Sequence, residues 1–166
     1  PELPAPEEPP AAPRHARHGT PSATWTYRDA EGRPLFMVAR FDPPDGKELL
    51  PSTFGTLRGV RGWHWKAPPS PSPLYRLHDL AARPEAAVLV VEGEKAAEAA
   101  ALLFPDHVAT TWQGGASAAG RADWAPLAGR RVIIWPDHDD AGRRAAGDVM
   151  KAVSYTHLRA HETKAN

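Results

Sequence analysis

The stretch AVLVVEGEKAAEAAALLF, Ala87 to Phe104, decides the fold. Its first five residues are an unbroken β-branched and apolar run, the pattern of a strand buried on both faces. Glu94 to Phe104 is rich in strong helix formers and stops before Pro105. A buried strand running straight into a helix is the repeating unit of a parallel sheet, and the chain repeats it. HVATTW (His107 to Trp112) predicts a second strand, leading into the glycine loop Gln113-Gly114-Gly115 and a weaker helix around Ala118 to Leu127. RRVIIW (Arg130 to Trp135) reads as a third buried strand, and AGRRAAGDVMKAV (Ala141 to Val153) as the helix after it. Strand and helix alternating three times predict a parallel sheet with right-handed crossovers.

Upstream the texture differs. Residues 1–22 are rich in Pro and Ala and nearly devoid of large apolar side chains, so they cannot offset the entropy of ordering and read as a disordered linker. Residues 23–86 read as a small β-rich region. Thr24 to Phe41 carries two alternating segments around Asp29-Ala30-Glu31-Gly32, the pattern of a hairpin, with Trp25 and Tyr27 on one face. From Asp42 to Pro73 the chain is broken by Pro and Gly, with a short possible strand at Gly62 to Lys66; Leu74 to Arg83 reads as a short helix stopped by Pro84. The first residue is Pro1 rather than Met, which suggests a cut within a longer chain.

With 166 residues there is room for one compact domain plus appendages. Twenty Lys and Arg balance twenty Asp and Glu, so any attraction to nucleic acid must come from local patches. The absence of cysteine excludes disulfides, thiolate zinc sites and cysteine nucleophiles, and makes a cytoplasmic setting the default. The eight histidines lack metal-ligand spacing, and no apolar run is long enough to span a bilayer, so no membrane partner is expected.

In open parallel sheets the active crevice lies beyond the carboxyl ends of the strands. Glu92 closes the first strand there, and Asp137, Asp139 and Asp140 close the third. Gathered carboxylates repel one another in a cleft, and a hard divalent cation relieves the repulsion; all-oxygen ligation favours Mg2+ or Mn2+. Plainer readings stand beside this one. Glu92-Gly93-Glu94 suits an acidic helix start, and Asp137 to Asp140 suits a helix cap, although three acids in four positions exceed what a cap needs.

VLVVEGEKAAEAA resembles the first motif of the Toprim family, a glutamate between an apolar strand and a glycine, here Glu92 and Gly93. VIIWPDHDDAGRRAA resembles the second, a D-x-D pair with a downstream glycine, here Asp137, Asp139 and Gly142. The resemblance covers Val88 to about Val153. It implies a Rossmann-like Toprim core over 87–153, incomplete at its C-terminal end. It also implies that Glu92 is a general acid or base and that Asp137 and Asp139 hold Mg2+, with Asp140 as a secondary ligand. Lys95, on the first turn after Glu92, either meets a phosphate or is a solvated helix lysine. Gly114 and Gly115 either admit a phosphate to the backbone or make a tight turn. Residues 154–166 (SYTHLRAHETKAN) fit nothing before them and resemble a translated sequencing-adapter read-through, a non-native artefact outside the fold argument.

Arg58, Arg61, Lys66 and Arg76 are interleaved with Trp63, Trp65 and Tyr75, a mixture that suits single-stranded nucleic acid, though tryptophans also commonly serve packing. The region loosely resembles the part preceding the Toprim core in primase-like proteins of phages and mobile elements. The resemblance therefore implies a DNA primase: a nucleotidyltransferase of DNA replication that uses nucleoside triphosphates to make primers on single-stranded DNA, with a replicative helicase domain or protein as a further candidate partner. A Toprim-type nuclease and a non-catalytic DNA- or helicase-binding module are the alternatives. A topoisomerase would need a separate tyrosine-bearing domain for which this chain has no room.

Overall fold

The computed structural model describes residues 1–164, with side chains through 155. It divides into two compact units, Pro1–Pro69 and a second beginning at Ser70. The division falls before the short helix at Leu77–Ala82, not near residue 86, because Leu74 and Leu80 belong to the core of the second unit.

The first unit is an antiparallel meander of β1 (Ala23–Arg28), β2 (Pro34–Phe41), β3 (Glu48–Leu57) and β4 (Val60–His64), in that spatial order. The predicted hairpin is β1 and β2. Its turn is made by the Asp29 carboxylate, which accepts the backbone N–H groups of Glu31 and Arg33. Trp25 and Tyr27 are buried on one face, and Tyr27 stacks on its cross-strand partner Phe36 with ring centroids 4.1 Å apart. β3 escapes a sequence reading because Pro51 and Gly55 interrupt it. Pro51 is tolerated since β3 pairs there with Val38 of β2 on one side alone; pairing with β4 begins only at Thr53. The β3–β4 turn places Arg58 and Gly59 at φ 51° and 80°, the two positive values that a two-residue hairpin turn requires.

Residues 1–22, which by composition read as a free linker, lie along this unit instead. Glu2 N–H donates to Phe54 O and Ala5 N–H to Pro34 O. Glu2 pairs with Arg61 at 2.7 Å and Glu8 with Arg28 at 2.9 Å. Hydrogen bonds from those arginines hold both carboxyls below the ordinary glutamate value. His15 stacks on His18 at 4.8 Å and meets Trp65 edge-on. The apolar count alone misses this segment because its contacts are polar and aromatic.

The second unit contains α1 (Leu77–Ala82), β5 (Ala87–Val91), α2 (Glu94–Leu103), β6 (His107–Thr110), β7 (Val132–Trp135) and α3 (Asp140–Lys164). Its three strands are parallel in the order β6-β5-β7. β5 is buried throughout, as its run of apolar residues predicts. Val88 and Val90 point into the main core with Trp112, Trp124, Leu127, Ala145 and Val149. The expected helix at Ala118 to Leu127 is instead two 3-10 segments, Ala116–Arg121 and Ala125–Leu127, separated around Asp123, whose carboxylate accepts the N–H of Ala125. α3 begins one residue earlier than expected and runs through Ser154 to Lys164, so the segment read as non-native continues the helix; residues 165–166 and the side chains beyond 155 lie outside the described residues.

The burial expected of the third parallel strand is also corrected. β7 is not buried on both faces: Ile133 is 42% and Trp135 57% exposed. β7 is an edge strand, and α2 packs on β5 and β6, leaving the alternate side chains of β7 largely uncovered on that face, where Trp135 meets the Phe104 ring at the end of α2, 5.7 Å away. Among the described residues no helix is long and apolar enough to cross a membrane.

At the amino end of the strands, Arg130 gathers the chain. Its guanidinium donates to the carbonyls of Leu80 (2.8 Å), Ala86 (2.9 Å) and Arg83. These are carbonyls at and just after the end of α1, which the helix itself cannot satisfy. Arg130→Ala is expected to cost about 2–3 kcal/mol, the range for losing charge-assisted hydrogen bonds, although Arg83 O keeps the Ala86 N–H as a partner. Urea unfolding followed by circular dichroism would register it as a lower midpoint.

Candidate active site

The carboxyl ends of β6, β5 and β7 form one lip of the second unit. β5 is central, and the chain leaves it toward β6 before returning to the other side as β7, which is the strand reversal that opens a crevice in parallel sheets. Val91 pairs with Trp135 in the β5–β7 ladder, so Glu92 follows on one strand as Pro136 and Asp137 follow on the other. Neighbouring strands lie about 4.8 Å apart, which brings the Glu92 and Asp137 turns side by side.

Each turn is anchored by a different device. The Glu92-Gly93 turn is pinned by Thr111, whose hydroxyl accepts the Gly93 N–H at 2.9 Å. Gly93 has φ 86°, a conformation that glycine adopts at little cost. The Gly114-Gly115 loop is held by Trp112, whose indole N–H donates to Gly115 O at 2.8 Å. The β7 turn is fixed by Gly142. A Cβ there would stand 2.5 Å from Asp137 O and 2.9 Å from Asp137 N, so the first turn of α3 lies directly on the Asp137 backbone.

The predicted acids divide by environment. Glu92 is half-buried, whereas Asp137, Asp139 and Asp140 are exposed. Asp139 accepts the Gly142 N–H at 2.7 Å, a cap on α3, and Asp140 pairs with Arg143 at 2.6 Å. The capping reading thus holds for one oxygen of Asp139. Among the described residues no three His, Asp or Glu side chains converge closely enough to hold a metal ion. Glu94, one residue past the glycine, is the most buried acid of the lip at 4% exposed. Tyr75 donates to Glu98 at 3.3 Å, and burial together with that carboxylate raises its hydroxyl above the ordinary tyrosine range, so it stays protonated.

The basic candidates are dispersed. Lys95 is exposed on the first turn of α2. Arg76 pairs with Asp79 at 2.6 Å in the second unit. Arg58, Arg61 and Lys66 belong to the first unit, where Arg61 is paired with Glu2 and lies over the Phe54 ring. Trp63 and Trp65 pack edge-on against Phe54 and Phe41, the packing role weighed for them from sequence. Sequence reasoning passed over Thr111, Ser117, Arg121 and Arg144. The last three carry no motif: Arg121 lies over Gly114, while Ser117 and Arg144 line a cavity beside the 3-10 helix that follows the loop; only the doubled threonine at the end of β6 hinted at the first.

No protein-family model matches the chain, and no curated protein is significantly similar to it in sequence. Solved structures do share its fold. The primase fragment of the bacteriophage T7 primase-helicase protein superposes with a TM-score of 0.54 at 19% identity over 78% of this chain and 48% of that one. A chain in the complex of bacteriophage T7 lagging-strand DNA polymerase with primase domains bound to an RNA/DNA hybrid and dTTP superposes with a TM-score of 0.53 at 18% identity, covering 78% of this chain and 59% of that one. This chain therefore spans about half the length of the structures it matches. A β-rich region, expected from the alternation in Thr24 to Phe41, followed by a Toprim-like α/β unit, expected from the two motifs, is the fold it has in common with them.

Proposed function

We propose that the chain is the nucleotidyl-transferring part of a primase-type Toprim protein, which joins nucleoside triphosphates into primers on single-stranded DNA. The observation that supports this reading best is the β5–β7 register, which brings the turns bearing Glu92 and Asp137 to one lip of a sheet whose fold is shared with a phage primase fragment. In this reading Glu92 exchanges a proton with the attacking hydroxyl. Asp137 and the oxygen of Asp139 not used for capping hold Mg2+, with Asp140 near enough in sequence to assist. Mg2+ needs no cage of three or more protein groups: it usually takes one or two carboxylates and completes its shell with water and substrate phosphates. When bound it would neutralise phosphate charge and stabilise the leaving oxygen. A replicative helicase, supplied as a further domain or a separate protein, is the proposed partner.

The test is direct. The chain is incubated with end-labelled single-stranded DNA, the four ribonucleoside or deoxyribonucleoside triphosphates, and Mg2+ or Mn2+. New template-dependent oligonucleotides are expected only when both metal and triphosphates are present. Cleavage of the strand without triphosphates would replace this reading by a nuclease. Calorimetry showing a folded protein that takes up neither ion at millimolar levels would replace it by a binding module.

A further inference from the structure

Beside its acids, the lip of the second unit carries groups of opposite charge that no motif announces. The Gly114-Gly115 loop enters the 3-10 helix Ala116–Arg121, which packs against α3. Between the two lies a cavity of about 220 Å³ lined by Ala116, Ser117, Ala141, Arg144, Ala145 and Asp148. From the other side, Arg121 reaches back over the loop: its Nη2 would stand 3.8 Å from a Cβ placed on Gly114. Gly114 and Gly115 have φ 98° and 69°, and nothing lies within 4 Å of a Cβ on Gly115, so the loop backbone is open to a ligand there.

Both arginines are exposed, and among the described residues neither forms an ion pair, which leaves their guanidinium groups available to an anion; Arg131 shares that state away from the loop, whereas the neighbouring Arg143 is paired with Asp140. A guanidinium presents a fork of donors suited to phosphate oxygens, and glycine-rich backbone beside it supplies further N–H groups. Asp148 opposes an anion at the far end of the cavity, one helical turn from Arg144. Its charge is partly offset by Lys151, whose Nζ stands 3.8 Å from its carboxylate.

We propose that the Gly114-Gly115 loop, Ser117, Arg121 and Arg144 form the site that holds the phosphates of a nucleoside triphosphate. The assignment of the nucleotide rests on the nucleotidyl-transfer reading; the phosphate chemistry does not. A phosphodiester strand offers similar oxygens, and the experiment separates the two sources.

Calorimetry with inorganic tripolyphosphate in EDTA measures the site without any metal. Arg121→Ala and Arg144→Ala are each expected to weaken binding about 10-fold, and the double variant about 100-fold. Arg131→Ala, at the opposite end of β7, removes the same charge and is expected to change binding less than about twofold. No tripolyphosphate binding by the folded protein, or equal losses in Arg131→Ala and Arg144→Ala, overturns the proposal. ATP and an unphosphorylated single-stranded oligonucleotide form the other two arms. Loss of ATP binding in the double variant with the oligonucleotide retained supports the triphosphate; the reverse overturns it in favour of strand phosphates. Arginine-dependent tripolyphosphate binding in a protein that makes no primers would remove the primase reading and leave the phosphate site standing.

Discussion

Asp137→Asn is expected to lower primer synthesis by a factor on the order of 10²–10³ while leaving the protein folded. The substitution keeps the shape of the side chain and removes its negative charge. Asp137 is exposed, and its side chain makes no hydrogen bond or ion pair among the described residues, so little stability depends on it. Thermal unfolding should stay within about 1 °C of the parent, since exposed side chains without such roles seldom matter for stability. Uptake of Mg2+ should fall in parallel with synthesis. Glu92→Gln should match the loss of synthesis but retain much of the metal uptake, because its proposed role is proton exchange. Full synthesis by the Asn variant would remove Asp137 from the mechanism, and equal metal uptake by parent and Asn variant would remove it from the ion.

Gly142→Ala is expected to damage both stability and the site through one added methyl group. A Cβ at 2.5–3.0 Å from the N, C and O atoms of Asp137 meets backbone, which cannot rotate aside as a flexible side chain can. Either α3 moves off the sheet, loosening Ala145 and Val149 in the core, or the Asp137 turn is displaced from its place beside Glu92. Overpacking of this kind typically costs about 1–3 kcal/mol, and a shift of an ångström in a catalytic group costs about 10²-fold in rate. The Gly142 N–H that Asp139 caps would move as well. Chemical denaturation and the primer assay should therefore both change. Gly147→Ala, on the same helix with open space at its Cβ, should leave the assay untouched and slightly favour the helix. A Gly142→Ala protein with unchanged stability and activity would show that the contact relaxes freely.

The two halves of the chain differ in how openly their sequences declare structure. β5 and α2 follow from a single uninterrupted pattern, and Glu92 falls between them, so its position at a strand end can be read directly. β3 could not be read that way, because Pro51 is acceptable only where one neighbour is absent, and the neighbour is set by residues elsewhere in the chain. The same limit explains β7. VIIW announces a strand of four apolar residues, yet whether its two faces are covered depends on where α2 comes to rest. Residues 1–22 deceived in the other direction: their proline content argues for a tether, while Glu2 and Glu8 find arginines on distant strands.

Local patterning by itself determined the three strands and the helices α2 and α3 of the second unit and put acids at two strand ends, since both are matters of a few consecutive residues; it missed the two 3-10 segments between β6 and β7. Which strands are neighbours, and in what register, was decided only by tertiary structure. That pairing joins residues far apart in the chain, and tertiary structure alone brings the Glu92 and Asp137 turns to one lip, lays Gly142 on the Asp137 backbone, sets Arg121 over Gly114, and puts Ser117 and Arg144 on one cavity.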